Sequence, residues 1–565
     1  MLRKNAIKIL LFLFFLIYPF FCFADSVGQI KNFLIDSSYD FYGRTKILAT
    51  LEKVSQNAYF YLEDEWFKNL SEDEKEKIKE SLDSLSQEFD NNIYPKVTSL
   101  YGVEWKPGID NDEKITILFQ TMKNGVAGYF KSDDEYPKIQ AQNSNEREMI
   151  YLNINSLSSS SVKSYIAHEF THLINFNQKE RLRGLEEEVW LNEMRAEYAP
   201  TLVGYDEEYL GSNLQKRVKD FITSPSDSLT EWQSQKKDYG VINLFAQYLA
   251  DNYGMVLADS LFFPKIGIAS INKALEKNNI NKDFSKIFTD WTIAIFLNNC
   301  ELSEYYCYKN QNLRNLKVTP SLIFLSAPQK TNVSLNYSIK EWSGNWYRIM
   351  GGEGDLRMRF DGDDKAQFKV SYVLCNQSNS CSVEFLKLDK EQKGEISFKD
   401  FGKYYNSLTL IPSLQSKTEG FGEKEPSFGF SLSVSMENKK INEEILNSLK
   451  AQIATLELKI AELRKKIAAL TTNKKIACNS FENNLYYGQS SEGVKCLQEF
   501  LKNQGPEIYP EGLVSGFFDS LTKVAVIKFQ EKYIEEILTP LGLKEGTGFL
   551  GPLTRSKINQ LLKNN

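Results

Sequence analysis

Apolar and polar positions change rhythm several times along this chain, and each change marks an expected boundary. Between residues 26 and 317 the rhythms are mixed: AYFYLEDEWF, KITILFQ and the alternating MIYLNINSL read as strands, while KEKIKESLDSLSQEFDNNIYPKV has helical spacing. INLFAQYLADNYG is a later amphipathic helix, and helices over residues 271–275 and 284–297 close the region. The fold class this predicts is α+β, a mixed sheet lobe followed by a mostly helical lobe. Over residues 318–437 the period falls to two. NVSLNYSI, WYRIM, LRMRFDG, AQFKVSYVLC, SVEFLKL, SLTLIPSL and FGFSLSVSM alternate with turn residues, which predicts a β-sandwich and offers no chemistry of its own.

Residues 438–474 form a spacer. Leu446, Ile453, Ile460 and Ile467 occupy one heptad position, and Leu449, Leu456, Leu463 and Leu470 the other, which favours a parallel two-stranded coiled coil and a homodimer. Lys459 would then face Arg464 of a partner, so a single stiff helix is the equal alternative. Either is roughly 45–50 Å long. Residues 475–565 return to helical spacing, with GFFD and GPLT supplying turns and helix starts for a small three-helix core.

Composition narrows the class. A hydrophobic share of 42% and a charged share of 25% are those of a globular protein. A net charge of −6 argues against nucleic acid as the partner, because phosphate binding needs a basic face. Residues 1–24 read as a signal peptide: Arg3, Lys4 and Lys8 precede a short apolar run broken by Pro19, with cleavage after Ala24. A retained membrane anchor is the alternative, and Cys22 behind Phe21 does not suit a lipoprotein. Without the leader six cysteines remain as neighbours, Cys300 and Cys307, Cys375 and Cys381, Cys478 and Cys496, which suits local disulfides in an exported protein. Whether residues 25–45 are a removable pro-segment stays open.

The chain has two histidines, and they stand four residues apart in SYIAHEFTHLINFNQ. On a helix that spacing puts His168 and His172 on one face, where both rings reach one metal ion, with Glu169 placed to act on a bound water. Zinc needs a third protein ligand, and with no imidazole or free thiol to spare it must be a carboxylate. VWLNEMRAEYAPTL sets Glu193 and Glu197 one turn apart; Glu193 is the expected ligand and Glu197 the carboxylate behind a ligating histidine. Glu186, Glu187 and Glu188 read as a solvated acidic first turn. Asp110-Asn111-Asp112 is an oxygen cluster that reads more simply as a surface turn, leaving calcium without support.

HEFTH followed by WLNEMRAEYA resembles the gluzincin metallopeptidases, the clan of thermolysin and aminopeptidase N. Within it the text is most similar to the hyicolysin-like secreted peptidases, over residues 40–310 including GVAGYF and DYGVINLFAQYL. The resemblance implies one catalytic zinc, Glu193 as third ligand and Glu169 as general base. It also implies a histidine that steadies the oxyanion, which this chain lacks, or a tyrosine in its place as in the aminopeptidase branch. Tyr239 is the candidate, with Tyr198 and Tyr205 as rivals. By analogy with the clan, substrate is expected along the edge of the strand at residues 149–157. Residues 476–562 resemble the peptidoglycan-binding-like domain of bacterial wall hydrolases. Together these imply a secreted zinc endopeptidase acting on proteins or peptides and held near the cell wall. The alternatives are a hydrolase of peptidoglycan cross-links and a non-enzymatic surface adhesin on a metalloprotease scaffold.

Overall fold

A computed structural model describes residues 24–326, 331–437, 443–470 and 478–564, so the expected signal peptide lies outside the described residues except for Ala24. The chain divides into two compact units, residues 1–440 and 441–565. In the first, β1 (Ile30–Leu34), β2 (Lys46–Val54), β3 (Ala58–Glu63), β4 (Ile115–Gln120), β5 (Gly128–Phe130) and β6 (Met149–Asn153) form one sheet in the order β1-β2-β3-β4-β6-β5. β3, β4 and β6 run parallel, and the outer strands are antiparallel to their neighbours. Every residue of these three central strands is buried, because both faces of the sheet are covered. Phe60, Ile117 and Leu152 meet the helices α1 (Glu72–Glu88), α2 (Tyr94–Tyr101) and α3 (Val162–Phe176); Tyr59, Leu118 and Tyr151 meet Phe33, Ile47 and Leu51 on the other side. Ser71 and Glu74 close a reciprocal cap that starts α1, whose stripe Ile78, Leu82 and Leu85 is buried.

One expectation is corrected. Residues 149–157 are not a sheet edge: β6 stops at Asn153 and lies between β4 and β5, so the edge is β5. The GVAGYF segment is too short to show a period, but Asn153 fastens it to the end of β6. Its backbone N–H donates to the Ala127 carbonyl and its side-chain amide to the Val126 carbonyl, both at 2.9 Å. Residues 25–45 are built into the same sheet through β1, with Phe33 and Ile35 in the core.

Beyond α3 come α4 (Val189–Leu202), α5 (Asn213–Thr223), α6 (Lys236–Tyr253), α7 (Gly267–Lys277) and α8 (Phe284–Leu297), followed by a four-stranded and a five-stranded sheet between Ser321 and Glu437. The strand at Gly354–Gly362 alternates buried and exposed residues along its whole length, the signature of a sheet with one covered face. These sheets do not stand apart from the helices. Trp342, Trp346, Val373 and Ile411 enter the same core as Phe245, Phe284, Phe288 and Trp291. The Trp342 ring meets Phe284 at 4.8 Å and Phe288 at 5.3 Å, and its N–H donates to the Lys417 carbonyl at 2.6 Å.

In the second unit α9 (Glu443–Leu470) carries the heptads, and its Leu449, Ile453, Leu456 and Ile460 are exposed. The side chains of the other heptad positions lie outside the described residues. Further on, α10 (Glu492–Asn503), α11 (Ser520–Lys532) and α12 (Pro552–Lys563) surround a small core. Two buried glutamines carry matching networks there. Gln498 donates to Ser515, the Phe517 carbonyl and Thr522, at separations of 17, 19 and 24 residues, and Gln530 donates to Thr547, the Phe549 carbonyl and Thr554 at the same separations. Such a match marks a tandem repeat in which each glutamine ties its helix to the start of the next. All three neighbouring cysteine pairs are bonded. No helix among the described residues is long and apolar enough to cross a membrane.

The shared core yields a test. Trp342→Ala removes a large buried ring from the contact between helices and sheets, and should destabilise the protein by about 3–5 kcal/mol, read as a lowered urea midpoint.

Candidate metal centre

α3 is shaped by two demands. Ile166, Ala167, Phe170, Leu173 and Ile174 are buried, and they orient the helix so that His168 and His172 share the side facing α4. The return from α3 to α4 is held by a buried cluster. Glu187 accepts from Arg195 at 2.9 Å and stands 3.5 Å from the Lys179 ammonium, which also donates to the Ser260 carbonyl. The reading of Glu186, Glu187 and Glu188 as a solvated first turn is corrected accordingly. Only Glu186 is exposed; the other two precede the helix, and Glu188 accepts from the Trp190 indole at 2.6 Å.

The structure brings His168, His172 and Glu193 together. The two Nε2 atoms are 3.2 Å apart, and Glu193 Oε2 lies 3.5 Å from one and 3.7 Å from the other. Ligands of a tetrahedral zinc ion at about 2.0–2.1 Å stand roughly 3.3–3.4 Å from each other. The three atoms therefore form one face of such a tetrahedron, and they can hold a metal ion. Glu193 Oε2 is buried and has no hydrogen-bond partner among the described residues, a costly arrangement unless a cation satisfies it. On both counts the donor set fits the ion.

Behind the three atoms a second set fixes the rings. His172 Nδ1 lies 3.2 Å from Asn192 Oδ1, which accepts from the Asn175 amide at 2.6 Å. His168 Nδ1 lies 3.5 Å from Glu197 Oε1. Arg217 grips both oxygens of Glu197 at 2.6 and 2.7 Å, and Asn213 adds a bond at 3.1 Å. Burial alone would raise the Glu197 pKa, but Arg217 overrides it and holds the group at about 2. Burial also acts against a charge on His168, yet its contact with Glu193 and the charges of Glu169 and Glu197 raise it to about 9. Burial is the main effect on Glu169 and pushes it up to about 7.

Two glycines bring the surrounding elements into reach. At Gly128 on β5 an added Cβ would stand 3.0 Å from the Glu169 Cγ and 2.7 Å from the Tyr151 carbonyl, so the edge strand lies directly on the Glu169 side chain. At Gly240 an added Cβ would meet the Phe221 backbone nitrogen at 2.6 Å, which lets α6 close on α5. That approach sets Tyr239 with its ring 4.5 Å from the Arg217 guanidinium and 4.9 Å from Trp232. Burial, then Glu193 and Glu197, raise the Tyr239 pKa, and no hydrogen bond from the described residues occupies its hydroxyl. Of the rival phenols, Tyr205 donates to Glu88 at 2.8 Å, while Tyr198 feels the charges of Asp251 and Asp206 and not those of the centre.

Sequence reasoning missed several residues. Asn192 directly precedes Glu193, a signal that was available. Arg217 and Asn213 arrive only through tertiary packing. Tyr39, stacked on Tyr129 of β5 at 4.6 Å, is close enough for Glu169 and Glu193 to raise its pKa, after burial and Asp36.

Comparison with known proteins agrees in kind with this centre. No family model matches the chain. It is similar to the neutral metalloprotease ShpI of Staphylococcus hyicus, at 28% identity over 241 residues, 38% of this chain and 52% of that protein. The chain thus spans about half the length of that curated relative. Among solved structures, one similar chain is the M60 catalytic domain with two CBM51 domains from Clostridium perfringens ZmpB. It is 8% identical, covers 68% of this chain and 59% of that one, and has a TM-score of 0.23. Another is the pre-peptidase C-terminal domain of a Bacillus anthracis collagenase, 13% identical over 20% of this chain and 94% of that one, with a TM-score of 0.15. Scores this low carry no weight for the fold.

Two outcomes are expected. Arg217→Met should lower zinc affinity about 10–100-fold by freeing Glu197, measured by competition with a chromogenic chelator. Without a metal the contact with Glu193 and the charges of Glu169 and Glu197 favour the protonated form of His168, and that proton must leave before Nε2 can bind. Zinc binding should therefore release at least one proton at pH 7 and tighten as pH rises toward about 9. Calorimetry in buffers of different ionisation heat reads the release.

Proposed function

We propose that this protein is a secreted zinc-dependent endopeptidase. The observation that carries the reading is the triangle of His168, His172 and Glu193 at tetrahedral spacing, with the buried and unpartnered Glu193 oxygen pointing to a cation. A divalent ion there supplies Lewis-acid polarisation of a peptide carbonyl and eases the deprotonation of water. His168, His172 and Glu193 are the residues that would hold it. Glu169 takes the proton of the attacking water and passes it to the leaving amine, a role open to a buried carboxyl one residue on from a ligating histidine. Tyr239, with an unoccupied hydroxyl and a raised pKa, donates to the developing oxyanion.

The substrate backbone adds to β5, the edge strand nearest Glu169. Export is supported by the leader pattern and by three disulfides, which suit an oxidising compartment. The similarity to a metalloprotease supports peptide substrates. Residues 475–565 hold the enzyme near peptidoglycan in this reading, and the same unit favours the second one, cleavage of wall cross-links. Release of peptides from casein should exceed release from purified sacculi; the opposite order selects the second reading. A zinc-loaded protein that cleaves neither substrate is the adhesin.

Glu169→Gln should keep one zinc per chain and the native circular dichroism while losing about 10³-fold or more in kcat/KM. Tyr239→Phe should lower kcat about 10²–10³-fold with KM little changed, because its hydroxyl acts on the transition state.

A further inference from the structure

The loop between β5 and β6 buries more negative charge than its cations answer. Glu135 is 3% exposed and neither of its carboxylate oxygens has a partner. Glu148 is 2% exposed; one oxygen accepts from the Ile109 N–H at 2.7 Å and the other has no partner. Glu148 lies against Gly108, where an added Cβ would stand 1.9 Å from that second oxygen. The Arg147 N–H donates to the Asp134 carbonyl at 3.0 Å, which pairs the residues directly before Glu148 and Glu135, and of all charges that of Glu148 acts most strongly on Glu135, followed by Asp134 and Asp110. Of the basic groups around them, Lys131 and Arg147 are paired with aspartates, and the charge of Arg181 acts on Glu135 less than those of the three acids. Lys131 pairs with Asp134 at 3.1 Å, Arg147 with Asp25 at 2.7 Å and Asp110 at 3.1 Å, and Arg181 stacks on Trp105 at 3.8 Å.

Three buried carboxylate oxygens are thus left over, with two formal charges behind them. A proton shared between Glu135 and Glu148 would satisfy two of those oxygens and leave a net charge in the core. A hard divalent cation would answer both charges and take the three oxygens as part of a set of about six to eight, the rest from water or backbone carbonyls, and it accepts carboxylates from separate loops without a rigid geometry. We propose that Glu135 and Glu148 bind a calcium ion that joins the β5–β6 loop to the turn at Gly108. Asp110 and Asp112 then serve as the turn that carries Ile109, with the Asp112 N–H donating to Asp110 at 3.0 Å, and are not the ligands. Because this loop leads from the edge strand back to β6, the ion would steady the strand that lies on Glu169. The site is separate from the zinc centre and does not depend on the peptidase reading.

The test uses the full chain in calcium-free, zinc-buffered solution, titrated with calcium chloride in a calorimeter and heated with and without calcium. One saturable binding event is expected, with a rise in the unfolding midpoint of roughly 5 °C at a hundredfold excess over the dissociation constant. Glu135→Gln and Glu148→Gln should each abolish both effects while keeping the zinc content, and Asp112→Asn should keep both. No saturable heat with calcium in the unaltered protein overturns the proposal, even if neither glutamine variant folds. So does retained binding in Glu135→Gln. A higher midpoint for Glu135→Gln without calcium, together with no calcium response in the unaltered protein, assigns the pair to a shared proton. Tight binding of magnesium but not calcium overturns the choice of ion.

Discussion

Arg217 and Glu197 form the interaction on which the rest of the centre leans. A carboxylate this deep would ordinarily take up a proton, yet the two-pronged contact at 2.6 and 2.7 Å keeps it ionised. Its charge then fixes the His168 ring and helps set the protonation of its neighbours. Breaking such a pair leaves one buried charge unanswered, which is why it constrains α4, α5 and α3 at once. The same guanidinium lies beside the Tyr239 ring, so one cation contacts both the carboxylate behind His168 and that phenol.

Backbone proximity supplies the second constraint. Gly128 and Gly240 stand where a side chain would meet a neighbour's backbone closer than 3 Å, and each sits in an element that touches the centre. One admits Glu169 against the edge strand; the other admits α6 against α5. The chemistry of the site is therefore placed by the absence of two methyl groups as much as by the presence of carboxylates. Around it, helices and sheets share one core from Trp190 to Ile411, which buries more surface than the helical segment could alone.

Buried charge recurs as the design theme of the first unit. Glu187 with Arg195 and Lys179 shapes the return between the two site helices, and Asp25 with Arg147 and Tyr61 ties the start of the described chain to the sheet. In these groups each buried carboxylate faces a basic group within 4 Å. Glu135 and Glu148 are the contrast, since the same economy is missing there and a cation would restore it.

Local order was written in the sequence where a single element decides it. The four-residue interval between the histidines, the interval between Glu193 and Glu197, the heptads of α9 and the alternation of the later strands each need only the pitch of one helix or the pleat of one strand. Three residues of β5 carry no period, so the edge of the sheet was invisible until Asn153 could be seen binding Ala127 and Val126. Glu187 looked like a solvent-facing acid because nothing in the string announces Arg195 and Lys179 as its partners. Which carboxylate keeps its charge, which phenol packs on Arg217 and which strand forms the sheet edge are properties of contacts between elements distant in sequence. Only tertiary packing decides them, because desolvation and charge pairing act through space and leave no spacing along the chain.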